Sequence, residues 1–309
     1  MVWSGHDVVN VLDFNREDLE LLFSKADDMR KQLKENHVRK ILSDKIIGLA
    51  FFEPSTRTRM SFETAAKRLG AETVGFTGEE GTSVAKGESF ADTIKMLDSY
   101  VDAIVLRHKY EGAALFAADV AEHPIINGGD GRSHHPTQAF LDLYTTRTLF
   151  DRIDGLTFAL VGDLKYSRTV SSLIFALSMF KPKEIILISP PQLGLREEIK
   201  LFALNHGLKL REEKDISVIS DADVIYVTRI QKERFPDLQE YEKVRGSYKI
   251  TKKLLETYAK KTAKVLHPLP RVDELSPDVD KTSYQGYFTQ ASLGVPLRMA
   301  LLSLVLGGE

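Results

Sequence analysis

Ile46-Ile47-Gly48-Leu49-Ala50-Phe51-Phe52-Glu53-Pro54-Ser55-Thr56-Arg57-Thr58-Arg59 contains a buried strand, a turn and the start of a helix in one run. The apolar stretch 46–52 lacks polar alternation, which predicts a strand covered on both faces. Pro54 ends it, and helical periodicity then continues over 56–69 until Gly70 stops it. That helix opens with Arg57 and Arg59. A helix N-terminus carries about +0.5 of a charge, so cations there are disfavoured by tenths of a kcal/mol unless an anion lies among them. Ser55, Thr56, Arg57 and Thr58 therefore form a candidate phosphate cradle of hydroxyls, free N–H groups and guanidinium. The alternative is a surface helix with Ser55 as its N-cap and Arg59 paired to Glu63.

Working outward, strands and helices alternate almost throughout, the pattern of an α/β fold. Helices are predicted at 16–34 and 89–100, and strands at 72–76, 103–107 and 124–127. The stretch 77–88 between them is rich in Gly, Ser and Thr with almost no apolar anchor, so it reads as a mobile loop. Pro136 suits a first helical position and opens a helix to 150. A second set follows: strand 156–162, helix 168–180, strand 184–189, helix 195–206, strand 222–228, helix 252–260 and strand 263–266, closed by an apolar helix at 293–306. At 309 residues the chain is long for one core, since cores stop growing near roughly 250 to 300 residues. Two similar-sized domains follow, each a mainly parallel sheet flanked by helices: 1–136 completed by the C-terminal helix 292–309, and 137–291.

A formal net charge of -2 gives no basic excess to draw the chain to nucleic acid. The absence of cysteine removes disulfides, thiolate nucleophiles and cysteine metal sites, and suits a reducing cytoplasm. The first ten residues lack the basic start and apolar run of a secretory signal. No apolar stretch approaches the roughly 20 residues that span a bilayer. The expectation is a cytoplasmic protein without a membrane partner.

Arg107 follows Ile104-Val105-Leu106, and strand C-termini are where open α/β sheets bind ligands. Pro136 holds His135 extended at the mouth of the next helix, with Gln138 close behind. The alternatives are a helix-capping polar pair or, with His134 and Asp130, a metal site, although adjacent histidines without an i+4 partner make poor ligand geometry. Val161-Gly162-Asp163-Leu164-Lys165-Tyr166-Ser167-Arg168-Thr169 lies at a strand-to-helix turn, with one glycine where a dinucleotide fingerprint needs three. Arg168 there, and Arg229 after the strand at 222–228, each admit an ordinary salt bridge. His267-Pro268-Leu269-Pro270-Arg271-Val272-Asp273-Glu274 is a proline-stiffened loop whose carbonyls can accept hydrogen bonds.

Ser55-Thr56-Arg57-Thr58-Arg59 resembles the phosphate signature of the aspartate and ornithine transcarbamoylases, which transfer a carbamoyl group from carbamoyl phosphate to an amine. The family's other signatures recur in order along the whole chain, from Ser55 to the terminal helix. The resemblance implies an active site in the cleft between the domains, needing neither metal nor cofactor. It implies that Ser55, Thr56, Arg57 and Thr58 hold phosphate, and that Thr58, Arg107 and His135 act at the carbonyl oxygen. Gln138, Pro268, Leu269 and Pro270 would orient the carbamoyl amide, and Lys86, Arg168, Arg229 and Gln231 would hold aspartate. Ser83 and Lys86 resemble loop residues that family trimers insert into the neighbouring subunit's site, which implies a homotrimer with shared active sites and leaves room for separate regulatory chains.

The His-Pro-Leu-Pro segment favours the aspartate branch over the ornithine branch, which typically has His-Cys-Leu-Pro. The implied product is N-carbamoyl-L-aspartate, in an early step of de novo pyrimidine biosynthesis. Two features depart from the family pattern. Ala85 precedes Lys86 where two adjacent lysines are common, and Arg132-Ser133-His134 stands where smaller or amide side chains are usual, implying altered local packing.

Overall fold

The apolar run that opens the sequence argument forms strand β1 (Ile46–Phe51), buried from its second residue on. Parallel strands flank it, β2 (Glu72–Thr77) and β3 (Ala103–His108), and β4 (Ile125–Asp130) adds to β3, giving the order β2-β1-β3-β4. The computed structural model describes residues 3–80, 82–230, 239, 242, 244 and 246–307. It divides into two compact units, Met1–Leu141 with Leu293–Glu309, and Asp142–Ser292.

The first unit carries α1 (Arg16–Lys34), α2 (Thr56–Arg68), α3 (Phe90–Asp98) and α4 (Ala113–Val120). Helix α1 starts at a capping box between Asn15 and Asp18 and buries Leu19, Leu22, Phe23, Ala26 and Met29, the spacing of one helical face. Helix α5 (Pro136–Phe150) contains the junction between the units, which falls after Leu141 rather than at the helix's first residue.

The second unit holds β5 (Thr157–Val161), α6 (Arg168–Leu177), β6 (Glu184–Ile188), α7 (Glu197–Asn205), β7 (Leu210–Glu213), β8 (Val224–Val227), α8 (Lys252–Tyr258) and β9 (Lys264–Leu266). Its sheet order is β7-β6-β5-β8-β9, and every pairing is parallel. Helix α9 (Tyr287–Val305) closes the chain.

Each sheet reverses its winding once, between β1 and β3 in the first unit and between β5 and β8 in the second. Such a reversal leaves a crevice at the strands' carboxyl ends, where open α/β sheets take ligands. In the second unit those ends are tied together: the Thr228 hydroxyl donates to the carbonyls of Val161 and Asp163, both at 3.2 Å. Gly162 makes this approach possible, with φ +114° and room for no Cβ, which would lie 2.3 Å from the Thr228 carbonyl oxygen.

Four expectations change. Helix α4 was not foreseen, because its Ala-rich sequence has no polar face to set a period. Strand β7, Leu-Arg-Glu-Glu, is a charged edge strand and lacks the apolar run of its neighbours. The loop at 77–88 has an apolar anchor after all, since its 3-10 turn Ser83–Lys86 packs Val84 against the first unit's core. Helix α9 begins at Tyr287 rather than 293 and contains Pro296, so its 19 residues are long and apolar enough to match a membrane span; 67% of that window is buried inside the protein, as in a core helix.

Gly162→Ala is expected to lower unfolding free energy by at least about 2 kcal/mol through the Thr228 clash and the left-handed backbone. Denaturant unfolding of the purified variant measures this.

Candidate active site

In the first unit, three chain segments converge at the carboxyl ends of β1, β3 and β4. The turn after β1 delivers Ser55 to the N-cap position of α2 with extended backbone, yet its hydroxyl makes no capping bond. No acid occupies the first turn of α2. Arg59 pairs along the helix with Glu63 at 2.9 Å, as the surface-helix alternative proposed, while Thr56 and Arg57 are exposed and Thr58 is buried. Arg57 thus stands in the first turn of α2, and Arg59 pairs one turn further along the helix.

Arg107 reaches the same corner through a β-bulge. Strands β3 and β4 stay in register to Leu106 and Asn127, after which His108 faces Asp130, so Arg107 stands opposite Gly128 and Gly129. The extra residue lies on β4, and such bulges re-aim the side chains around them. Its Nη1 donates to the Gly128 carbonyl at 3.1 Å and its Nη2 to Glu53 Oε1 at 2.6 Å. Gly128 also admits Thr58, whose Cγ2 would lie 3.5 Å from an added Cβ. Glu53 was quoted in the sequence motif but given no role there; the structure makes it the counter-charge of Arg107.

His135 is 4% exposed and sits immediately before α5, its carbonyl accepting from the N–H groups of Gln138 and Ala139 at 3.0 and 3.2 Å. The loop ahead of it is organised by Asp130, whose carboxylate accepts from Asn127 Nδ2 at 3.0 Å, Gly112 N at 2.9 Å and His134 N at 3.3 Å. That carboxylate is committed to the loop, which removes the acid from the metal alternative. Arg132, one of the departures noted above, donates to Glu111 at 2.6 Å on the surface.

His108, next to Arg107, was also missed. Its ring lies 5.0, 5.0 and 5.2 Å from the rings of Phe52, Phe90 and Tyr110, and its Nδ1 accepts the Tyr110 N–H at 3.0 Å. Burial, with the nearby Lys109 charge, pushes its pKa below the usual histidine value. A neutral ring in an aromatic box thus follows Arg107 at the end of β3.

The second unit repeats the scheme. Arg168 is the first residue of α6, 5% exposed, again with no acid in the first turn and with Ser167 at the N-cap making no side-chain capping bond. Arg229 follows β8 and is half-buried. The two arginines therefore sit at the carboxyl ends of β5 and β8, on either side of the winding reversal. Pro268, Leu269 and Pro270 follow β9, the neighbour of β8. Beneath them, buried Asp142 accepts from the Tyr226 hydroxyl at 2.8 Å and from Gln290 Nε2 at 2.6 Å. Burial and the Asp142 charge push the Tyr226 phenol well above its ordinary range, so it stays a donor.

Ser83 and Lys86 lie on the exposed 3-10 turn of the single chain. Gln231 lies outside the described residues.

Residues 6–148 match the family model of the aspartate/ornithine carbamoyltransferase carbamoyl-P binding domain, and residues 154–305 match that of the Asp/Orn binding domain. The aspartate carbamoyltransferase catalytic subunit of Hyperthermus butylicus is 59% identical, covering 99% of this chain and 98% of that protein. Among solved structures, the catalytic subunit of M. jannaschii aspartate transcarbamoylase is 47% identical with a TM-score of 0.89, covering 96% of this chain and 97% of that one. Aspartate transcarbamoylase from Trypanosoma cruzi in complex with carbamoyl phosphate and aspartate is 37% identical with a TM-score of 0.95, covering 98% of both chains.

Because the folded-state pKa of His108 is depressed, its contribution to stability is complete above about pH 6.5 and is lost as pH falls from there through the folded value. Asn at this position can accept the Tyr110 N–H without titrating. His108→Asn is expected to flatten the decline in unfolding free energy between about pH 7 and pH 5, read from denaturant melts across that range.

Proposed function

This chain belongs to the aspartate/ornithine carbamoyltransferase family, and we propose that it transfers the carbamoyl group of carbamoyl phosphate to the amino group of L-aspartate, giving N-carbamoyl-L-aspartate and phosphate. The observation that carries the reading is Arg107, bonded to the Gly128 carbonyl opposite the β4 bulge, where Thr58 of α2 also packs and where α2 begins with Arg57 and no acid.

Carbamoyl phosphate is a mixed anhydride whose phosphate leaves readily. Transfer needs charge neutralisation at phosphate, hydrogen bonds to the carbonyl oxygen as the tetrahedral intermediate forms, and an amine held for attack. Ser55, Thr56, Arg57 and Thr58 meet the first need, and Thr58, Arg107 and His135 the second. Gln138 and the carbonyls of the loop at 268–270 orient the carbamoyl amide. Buried Arg168 and half-buried Arg229 suit the two carboxylates of aspartate, since a planar guanidinium matches a carboxylate with two parallel hydrogen bonds. Gln231 and Lys86 complete that set by family resemblance. Glu53 releases Arg107 as the substrate's oxygen takes its place.

The wider reading has a cytoplasmic homotrimer in which Ser83 and Lys86 reach a neighbouring subunit's site, acting early in de novo pyrimidine biosynthesis. Exposure of both residues on the single chain supports it.

Purified protein is expected to release phosphate from carbamoyl phosphate with aspartate and not with ornithine; release with ornithine alone would assign the other branch. Arg107→Ala should lower turnover by roughly two to three orders of magnitude, the cost of one oxyanion donor, and near-normal turnover would remove it from the site. Sedimentation should give three times the chain mass of 34.7 kDa. Mixing inactive Lys86→Ala and Arg107→Ala chains should restore activity, because a shared site regenerates one intact copy; no recovery in verified mixed oligomers would mean that Lys86 serves its own chain.

A further inference from the structure

None of the roles above uses the ring of His267, buried just past the end of β9. The N–H of Leu269 donates to its Nδ1 at 2.7 Å. A nitrogen that accepts a hydrogen bond carries no proton, so in the neutral ring the proton lies on Nε2, 2.8 Å from Glu274 Oε1. Glu274 also accepts the Val272 N–H, at 3.1 and 3.2 Å to its two oxygens. Burial pushes the Glu274 carboxyl up, but the bonds from His267 and from backbone N–H groups outweigh it and hold the group below the ordinary carboxylate value. The backbone N–H of His267 donates to Gln290 Oε1 at 2.9 Å, which ties this clasp to buried Asp142.

Leu269 has φ +57°, a left-handed value that a branched side chain adopts only where its surroundings impose it. The N–H of that same residue is the group that His267 Nδ1 captures. Both ends of the loop 268–273 are thus fastened to one ring, at Leu269 through Nδ1 and at Glu274 through Nε2.

We propose that His267 and Glu274 are positioning residues that preset the carbonyls of the loop 268–270 for the carbamoyl amide. The proposal rests on the assignment of that loop to carbamoyl phosphate. A loop already fixed in its working geometry loses little freedom on binding, and small misplacements of reacting groups reduce rates steeply. Neither residue touches substrate in this scheme.

The test uses the full chain with two substitutions at one position. His267→Leu removes both ring contacts. His267→Asn loses Glu274 but keeps an acceptor for the N–H two residues ahead, as in an Asx turn. His267→Leu is expected to lower kcat/KM for carbamoyl phosphate about 100-fold, with much of the loss in KM, and His267→Asn to recover most of it. Competitive inhibition by inorganic phosphate, held by Ser55 to Thr58, should stay within about twofold of wild type in both, since general damage would weaken it in parallel.

Wild-type kcat/KM in His267→Leu, equal impairment of the two variants, or a parallel loss of phosphate affinity would each overturn the clasp. Should His267→Leu fail to fold, Glu274→Gln takes its place: about a tenfold loss of kcat/KM with unchanged phosphate inhibition supports the proposal, and wild-type kinetics overturns it. If the wild type itself forms no carbamoyl aspartate, the functional reading falls and the clasp with it. An active wild type with unimpaired variants sinks the clasp alone.

Discussion

A guanidinium at the N-terminal end of a helix meets the positive end of the backbone dipole. Where Arg16 opens α1, acids in the first turn offset it, but Arg57 on α2 and Arg168 on α6 have no such offset. Both of these helices follow the strand at which their sheet reverses its winding, and in both a second arginine arrives from the adjacent strand across that reversal, Arg107 on β3 opposite the bulge in β4 and Arg229 after β8. The parallel ladders fix where the crevice opens, and the helix termini fix the sign of charge it attracts. Anion recognition is therefore local in a chain whose formal net charge is -2.

Around these cations the protein uses buried and half-buried polar groups to hold shape. Asp130 gathers the loop before His135, Glu53 and the Gly128 carbonyl hold Arg107, and Asp142 joins Tyr226 to Gln290. In a low-dielectric interior such bonds are strong when satisfied and costly when broken, so each narrows the positions available to its partners. The arrangement suits a site whose chemistry depends on placing donors around a reacting carbonyl.

Much of this was legible in the sequence for identifiable reasons. Strands β1, β3, β5, β6 and β8 are covered on both faces and read as apolar runs. The wrong-end arginines stand within a few residues of a proline or a serine that marks the helix start. What escaped lacked local signals: α4 has no polar face, β7 is charged along an edge, and the start of α9 is masked by Thr289 and Gln290. Glu53 and Arg107 meet from 54 positions apart, so their pairing exists only once β1 and β3 are side by side. His108 and His267 are each legible as a histidine near a strand end, but their functions depend on whichever groups the fold brings to the two ring nitrogens.

The first unit is discontinuous, assembled from residues up to Leu141 and again from Leu293 onward. The late portion is joined firmly to the early one. The Gly5 N–H donates to the Val305 carbonyl at 2.9 Å, and the Arg298 guanidinium lies 4.9 Å over the Phe62 ring on α2. During synthesis a chain emerges from its N-terminus, and domains fold as their last contacts become available. The first unit must therefore wait until α9 has emerged, while the second unit, contiguous from Asp142 to Ser292, can close earlier. A premature stop that removed only the final turns of α9 would leave the recently made half whole and damage the oldest part of the polypeptide.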